Sequence, residues 1–251
     1  MRSAGPSADV LQAWLRPELL DPRALQEQAR ARPFERYLVV DDLLRPEALE
    51  ALQAAWATLP LVPDSPDLNY DALAMRLDGD PASPGHELWT SPAWHDWVAR
   101  ALDITLRQPG RTVVKARRHP PDSLGFWPHT DRDPEACKSA AALLYLTPDW
   151  RAADGGLLQL WEVETLDPAP AGLLRWDAFV GRPLGFLEEA TTLEVEVAAP
   201  VGVRPARARL LAQVVPQANR LVLLDFQRGP AYHSITPNRR RSRQGVVQWL
   251  Y

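Results

Sequence analysis

The sequence contains a single cysteine, Cys137, among 251 residues. An internal disulfide needs two cysteines, so this chain cannot form one. Many secreted domains depend on such bridges, whereas proteins of reducing compartments do not. We therefore expect a cytoplasmic protein that is stabilised by an apolar core.

Long apolar runs are also absent from the N-terminal part of the chain. Asp9, Arg16 and Glu18 interrupt the apolar residues of segment 1–20. A secretory signal needs an apolar stretch of about 7–15 residues, and a membrane-spanning helix needs about 20. We expect neither, and we expect no membrane partner.

An excess of positive charge is missing as well. The chain has 28 lysine and arginine residues against 32 aspartate and glutamate residues, with a net charge of -4 and a pI near 5.8. Proteins that bind nucleic acids usually present a basic surface, so we expect no nucleic-acid partner. Repeats and low-complexity linkers are absent too, which predicts a single domain over residues 1–251.

The first part of the chain, residues 1–110, is predicted to be mostly helical. Apolar residues recur three and four positions apart in segments 9–15, 22–31, 46–56 and 92–102, and one short strand is predicted at 37–40. Segment 60–85 is rich in Pro, Asp, Gly and Asn, which predicts a long loop in the position of a lid. We expect residues 1–110 to support residues 111–251 and to provide a lid over them.

After Gly110 the apolar residues alternate instead, with a period of two. Nine strands are predicted, at 112–116, 124–127, 140–146, 157–161, 191–198, 210–215, 220–226, 232–235 and 245–250. Short strands at this spacing predict a mainly β (α+β) fold, a double-stranded β-helix or jelly roll, with the N-terminal helices packed on one side. The core is expected over 111–251, with an elaboration at about 162–212.

Three side chains stand out as metal ligands: His129, Asp131 and, far downstream, His233. Two imidazoles and one carboxylate can hold Fe(II) on one face and leave the opposite positions open. Residues two apart on a strand project to the same side, so His129 and Asp131 can reach one ion. Taken alone, His-x-Asp also fits a loop histidine beside a solvated aspartate.

Arg243 follows His233 by ten residues and offers a planar guanidinium for the carboxylate of a co-substrate. It also lies in the basic run 239–243, so a surface position is the alternative. A slip in the preceding loop would exchange Arg243 for Arg241.

An ordered set of motifs extends over about the last 140 residues. It comprises His129 and Asp131, Tyr145-Leu146, Trp150, Gly155-Gly156, Pro216 before the strand at 221–226, His233, and Arg243 with Trp249 six residues later. In this order the motifs resemble the prolyl 4-hydroxylase-type branch of the 2-oxoglutarate/Fe(II)-dependent dioxygenases. Segment 36–56 also resembles the entry strand and helix of that family.

The resemblance implies an enzyme that uses Fe(II), 2-oxoglutarate and dioxygen to hydroxylate an unactivated C–H bond, with release of succinate and CO2. It assigns His129, Asp131 and His233 to the metal and Arg243 to 2-oxoglutarate, the spacing to Trp249 favouring Arg243 over Arg241. Tyr145 would donate to the same carboxylate, or else be a core aromatic with a satisfied hydroxyl. His119, upstream of the metal pair, fits a structural or surface position better than a functional one.

The loops at 60–85 and 162–212 depart from the family, so the substrate does not follow from the resemblance. We expect a small molecule, such as an amino acid or a biosynthetic intermediate, or a peptidyl residue. The elaboration would shape the substrate pocket or a subunit contact, as in a homodimer. A catalytically silent jelly roll that binds a ligand or partner, and a cupin-like enzyme without 2-oxoglutarate, remain the alternatives.

Overall fold

The structure, a computed structural model, describes residues 6–32, 37–64, 71–132, 137–165, 192–198 and 203–251. Its helices are α1 (Pro6–Trp14), α2 (Arg23–Ala31), α3 (Pro46–Trp56), α4 (His86–Trp89) and α5 (Pro92–Leu102). Its strands are β1 (Tyr37–Val40), β2 (Val62–Pro63), β3 (Leu73–Arg76), β4 (Thr112–His119), β5 (Phe126–His129), β6 (Ala140–Tyr145), β7 (Leu158–Thr165), β8 (Thr192–Ala198), β9 (Val203–Val214), β10 (Leu221–Asp225), β11 (Tyr232–Ile235) and β12 (Arg243–Leu250).

The strands form two antiparallel sheets. The large sheet has the order β1-β10-β6-β12-β4-β3-β2, and the small sheet has the order β5-β11-β7-β9-β8. Neighbours in each sheet are mostly distant in sequence, as in a jelly roll, and the predicted mainly β fold is confirmed. Strands β6 and β10 lie inside the large sheet and are buried along their whole length, which explains why they read as continuous apolar runs.

Strand β12 shows how the layers are separated. Val246 and Leu250 join the apolar core that contains the helices, whereas Val247 and Trp249 join the core on the opposite side of the large sheet. Alternate residues of a strand project to opposite faces, so one strand contributes to both cores. The helices therefore cover one face of the large sheet, and the predicted packing of the N-terminal helices on one side is confirmed.

Helix α5 anchors the helical layer. The Ser91 hydroxyl caps its first turn by accepting a hydrogen bond from the Ala93 amide at 3.2 Å, and Pro92 occupies the first turn. Within the helix, Trp94 stacks on Trp97 and donates its indole N–H to the buried Gln248 side chain at 2.7 Å. A polar contact thus ties the helices to β12 inside an otherwise apolar interface.

Segment 60–85 is not the continuous loop that its composition predicted. Strand β3 pairs with β4 and extends the large sheet, and β2 pairs with β3 beyond it. Residues 65–70 lie outside the described residues. The prediction was wrong because four-residue strands at a sheet edge are specified by pairing with a neighbour more than by their own composition.

Two strand boundaries also differ from the prediction. Strand β5 begins at Phe126 and ends at His129, two residues later than expected, and includes Pro128. A proline is tolerated there because β5 is an edge strand of the small sheet. Strand β9 begins at Val203 rather than 210, because its first residues pair with β8 despite Pro205.

The elaboration at about 162–212 is described only in part, since residues 166–191 and 199–202 lie outside the described residues. Strands β7, β8 and β9 within it are antiparallel neighbours at one end of the small sheet. Its role at a pocket or a subunit contact stays a prediction. Among the described residues, no helix has the length and apolar character needed to cross a bilayer.

Asn219 links the two halves of the fold between β9 and β10. Its side chain accepts a hydrogen bond from the Leu44 amide at 2.7 Å and donates to the Leu44 carbonyl at 2.9 Å. Its φ of 66° lies in the left-handed region, which asparagine tolerates better than most residues. The amide thereby satisfies two buried backbone groups at the entrance to α3.

Replacing Asn219 with alanine should lower the free energy of unfolding by about 3 kcal/mol, since two buried backbone groups lose their partners. Urea-induced unfolding followed by circular dichroism measures the change. Gln217→Ala, in the exposed part of the same turn, should change stability by less than about 0.5 kcal/mol. Equal stabilities of the two variants would contradict the role given to Asn219.

Candidate metal centre

The two histidines meet through strand pairing in the small sheet. Strands β5 and β11 are antiparallel neighbours, and the Cα atom of His129 is paired with that of His233. The two imidazole centroids lie 4.3 Å apart. Residues directly opposite each other on paired strands carry neighbouring side chains, so the register alone brings these two residues together.

Asp131 reaches the same place by a route that sequence reasoning did not predict. Strand β5 ends at His129, so Asp131 lies beyond the strand and the alternation of side chains does not apply. Instead, the Thr130 hydroxyl donates a hydrogen bond to the Pro230 carbonyl and accepts one from the Arg132 amide at 3.0 Å. These contacts hold the turn against the segment that leads into β11.

The carboxylate of Asp131 lies next to both imidazoles. Its Oδ1 atom is 3.8 Å from His129 Nε2, and its Oδ2 atom is 3.8 Å from His233 Nε2. One donor atom from each residue lies within 4.8 Å of the others, the only such group of three among the residues that the structure describes. Two nitrogens and a carboxylate oxygen on one side of a divalent ion are the donor set of non-haem Fe(II) sites.

The surroundings of the triad favour the binding of a cation by its donor atoms. The Nδ1 atom of His233 is 3.0 Å from the Ala231 carbonyl oxygen and donates its hydrogen to it, so Nε2 is the ring nitrogen directed at Asp131. Burial by itself raises the pKa of Asp131, but interactions with His129, His233 and Lys138 outweigh it and lower the pKa to about 2. The carboxylate is therefore ionised near neutral pH, and the donor set fits a divalent metal.

Trp249 supports the carboxylate from β12. Its indole N–H donates to Asp131 Oδ2 at 2.8 Å. The sequence singled out Trp249 only by its spacing from Arg243, and this contact was missed. The spacing could have predicted that Trp249 faces the site, because residues six apart on a strand share a face. In the structure, Arg243 and Trp249 both face the cavity that contains the triad.

That cavity has a volume of about 390 Å³ and lies between the two sheets. Apolar side chains of both sheets line it, among them Phe126, Leu143, Ile235 and Val247. The triad and Arg243 both open into it. The volume suits a small ligand held between the metal position and the arginine.

Arg243 is buried, with 3% of its surface exposed. It is the first residue of β12, its Nη1 atom donates to the Gly156 carbonyl at 2.9 Å, and its guanidinium carbon lies 5.7 Å from the Tyr145 ring centroid. Arg241 instead is more exposed and donates to the carbonyls of Pro148 and Asp149. The structure therefore places Arg243, and not Arg241, in the cavity.

Tyr145 presents a buried hydroxyl that has no hydrogen-bond partner among the described residues. Burial raises the pKa of Tyr145, against the opposing effect of Arg243 and Arg220, so the hydroxyl keeps its proton. An unpaired buried donor costs about 1–3 kcal/mol unless a ligand supplies an acceptor. The alternative of a core aromatic with a satisfied hydroxyl therefore does not describe this residue within the described part of the chain, and its role toward a co-substrate stays a prediction.

His119 lies beside Arg243, as its Cα partner across β4 and β12. Burial lowers the pKa of His119 well below its usual value, and the positive charges of Arg243 and Arg117 add to this effect. The imidazole is therefore neutral. His119 lines the cavity, so a surface position is excluded, and no charge is added next to Arg243.

The Gly155-Gly156 pair has a steric explanation. Both glycines have positive φ, and a Cβ atom on Gly156 would lie 2.4 Å from Asn238 Oδ1 and 3.3 Å from Arg243 Cδ. On Gly155 it would lie 2.0 Å from the Pro237 carbonyl oxygen. Only glycine lets the backbone come close enough for the Gly156 carbonyl to accept the hydrogen bond from Arg243.

Comparison with solved structures identifies the architecture. A Pseudomonas putida prolyl-4-hydroxylase is 18% identical, with a TM-score of 0.58 over 90% of this chain and 97% of that chain. The Trichoplax adhaerens prolyl hydroxylase in complex with a hypoxia inducible factor peptide fragment is 13% identical, with a TM-score of 0.60 over 93% of this chain and 92% of that chain. The chain has the fold of the prolyl hydroxylases.

The same fold extends to an enzyme of a different reaction. The epimerase SnoN, in complex with Fe3+, alpha ketoglutarate and nogalamycin RO, is 16% identical, with a TM-score of 0.59 over 92% of this chain and 84% of that chain. No protein-family model and no curated protein matches the sequence. At these identities the likeness concerns the fold.

Trp249→Phe keeps the ring but removes the hydrogen bond to Asp131, so it should weaken binding of Mn(II) by about 10-fold or more. Isothermal titration calorimetry measures the affinity. Trp150→Phe is the matched control, because it loses a similar indole hydrogen bond at 2.9 Å, to the Gly155 carbonyl rather than to the triad. Equal affinities of the two variants would show that the Trp249 contact does not support the metal.

Proposed function

We propose that the protein is a 2-oxoglutarate- and Fe(II)-dependent dioxygenase that hydroxylates an unactivated C–H bond and releases succinate and CO2. One observation carries the proposal: the triad, the buried Arg243 and the unpartnered Tyr145 hydroxyl line a single cavity. The fold shared with prolyl hydroxylases supports it. The substrate would be a small molecule or a peptidyl residue.

His129, Asp131 and His233 would hold the ferrous ion through two imidazole nitrogens and one carboxylate oxygen. Such a set occupies one face of an octahedral ion and leaves three positions for the co-substrate and dioxygen. The iron and 2-oxoglutarate together supply the oxidising power that no protein side chain has. The tasks of the chain are to hold these groups, orient the substrate and exclude water.

Arg243 would bind the carboxylate of 2-oxoglutarate that lies away from the metal. A guanidinium offers two parallel N–H donors, and its bonds to a carboxylate are charge-assisted and strong where water is excluded. The protonated Tyr145 hydroxyl would donate to the same carboxylate. This contact would give the hydroxyl the acceptor that the described residues do not provide.

The apolar walls of the cavity contribute by keeping water out. Leu143 and Val247 of the large sheet face Phe126 and Ile235 of the small sheet around the triad. Exclusion of water strengthens the polar contacts inside and protects a reactive site from side reactions. Solved structures with this fold include one complex with a peptide and one with a small molecule, so the fold is compatible with both classes of substrate.

With Fe(II), 2-oxoglutarate and dioxygen, the purified protein should form succinate. Asp131→Ala should reduce this rate at least about 100-fold, because it removes the only anionic ligand of the triad and weakens metal binding. Mass spectrometry of succinate and calorimetry with Mn(II) measure the two effects. Metal binding without any succinate from the wild-type protein would favour the catalytically silent alternative.

Arg243→Met should raise the KM for 2-oxoglutarate by about 100-fold, since a buried charge pair is worth about 2–5 kcal/mol. The matched control is Arg241→Met, which removes a guanidinium two residues away that contacts backbone carbonyls, the Asp154 carboxylate and the Trp150 ring outside the cavity. Its KM should match that of the wild type. Succinate formation that does not depend on Arg243 would point to the cupin-like alternative.

A further inference from the structure

Lysine is rare in this chain. Of the 28 basic residues, only two are lysines, Lys115 and Lys138, and both line the cavity that contains the triad. The proposed binding of metal and 2-oxoglutarate gives neither lysine a role. The surroundings of the two differ: Lys115 has a structural role, whereas Lys138 is available to a ligand.

Lys115 belongs to a partly buried ion-pair cluster. Its ammonium lies 2.7 Å from Asp64 Oδ1, and the Arg117 guanidinium lies 3.0 Å from Asp64 Oδ2. The Asp64 side chain is only 8% exposed. One carboxylate thus holds two cations, and Lys115 is fixed in this cluster.

Lys138 is half-buried and makes no ion pair among the described residues. Its ammonium lies 5.4 Å from the centroid of the Trp249 ring, a cation–π distance, and the Arg117 guanidinium lies 5.2 Å from the same ring. Trp249 also donates to Asp131, so a single indole contacts both the metal ligand and the Lys138 ammonium. A cationic position therefore lies beside the triad.

The proposed cofactors would leave an excess of positive charge in the cavity. The two positive charges of a ferrous ion and the one of Arg243 balance Asp131 and the two carboxylates of 2-oxoglutarate, so the charge of Lys138 is in excess, and the Asp64 cluster adds one more positive charge. A lysine ammonium beside an apolar cavity is best stabilised by an anion. Lys138 lines the cavity, so a substrate bound there can reach its ammonium.

We propose that the substrate is a small carboxylic acid whose carboxylate binds Lys138, with its body against Trp249 and its reacting carbon towards the triad. This inference rests on the proposed function and names the substrate class. Lys138 is then a specificity-determining residue, because it selects an acid over the corresponding amide. The cluster of Asp64, Lys115 and Arg117 forms a fixed wall on which this selection does not depend.

The presence of only two lysines allows a direct test on the whole protein. With Ni(II) and 2-oxoglutarate bound, the rates of acylation of Lys138 and Lys115 by acetic anhydride are measured by peptide mass spectrometry. The probes are the N-acetyl derivatives of the common amino acids, each paired with its carboxamide. At least one acid should slow acylation of Lys138 by about 5-fold or more, its amide should not, and Lys115 should be unaffected.

Variants provide a second measurement with the same probes. Lys138→Met should weaken binding of the protective acid by about 10-fold in ligand-observed NMR, and Lys138→Arg should retain most of the affinity. Affinity for 2-oxoglutarate should be unchanged in both. The proposal is overturned when every acid binds no better than its amide, or when Lys138→Met binds acids as the wild-type protein does.

The two proposals fail in different ways. Succinate formation without any preference for acids over amides would overturn the carboxylate substrate and leave the dioxygenase function intact. Protection of Lys138 by acids in a protein that neither binds 2-oxoglutarate nor forms succinate would overturn the dioxygenase function. In that case the carboxylate site would remain as a binding site.

Discussion

The pairing of β5 with β11 is the constraint on which the site depends. It places His129 opposite His233, and the contact of Thr130 with the Pro230 carbonyl then brings Asp131 next to both. A shift of one residue in this register would turn one imidazole to the other face of the sheet. The remaining elements fix that register: β11 is held on its other side by β7, and the large sheet closes the cavity from the opposite side.

The cavity contains groups of both charges. Arg243 lies beside a neutral histidine and the protonated Tyr145 hydroxyl, an arrangement that suits an anion. The ionised Asp131 and two imidazoles suit a cation. Lys138, near Trp249, would provide the second position for an anion under the proposal made above. Together these groups would match a metal and two carboxylate ligands.

Much of the fold could be predicted from the sequence, because apolar alternation in the second half and helical spacing in the first reflect burial directly. The triad and Arg243 were found through spacing and motif order. The position of Asp131 beyond β5, the strand β3 within a presumed loop and the contact from Trp249 to Asp131 could not be found, since each depends on partners distant in sequence. Burial of His119 and the unsatisfied state of the Tyr145 hydroxyl likewise depend on packing.

The position of β5 at the edge of the small sheet has a consequence for the energetics of metal binding. Within the described part of the chain, this four-residue strand is paired on one side only, with β11, and it contains a proline. Edge segments of this kind open locally at low free-energy cost. An ion held by His129 and His233 would cross-link the edge to its neighbour, so metal affinity and amide hydrogen-exchange protection of this strand would be thermodynamically linked.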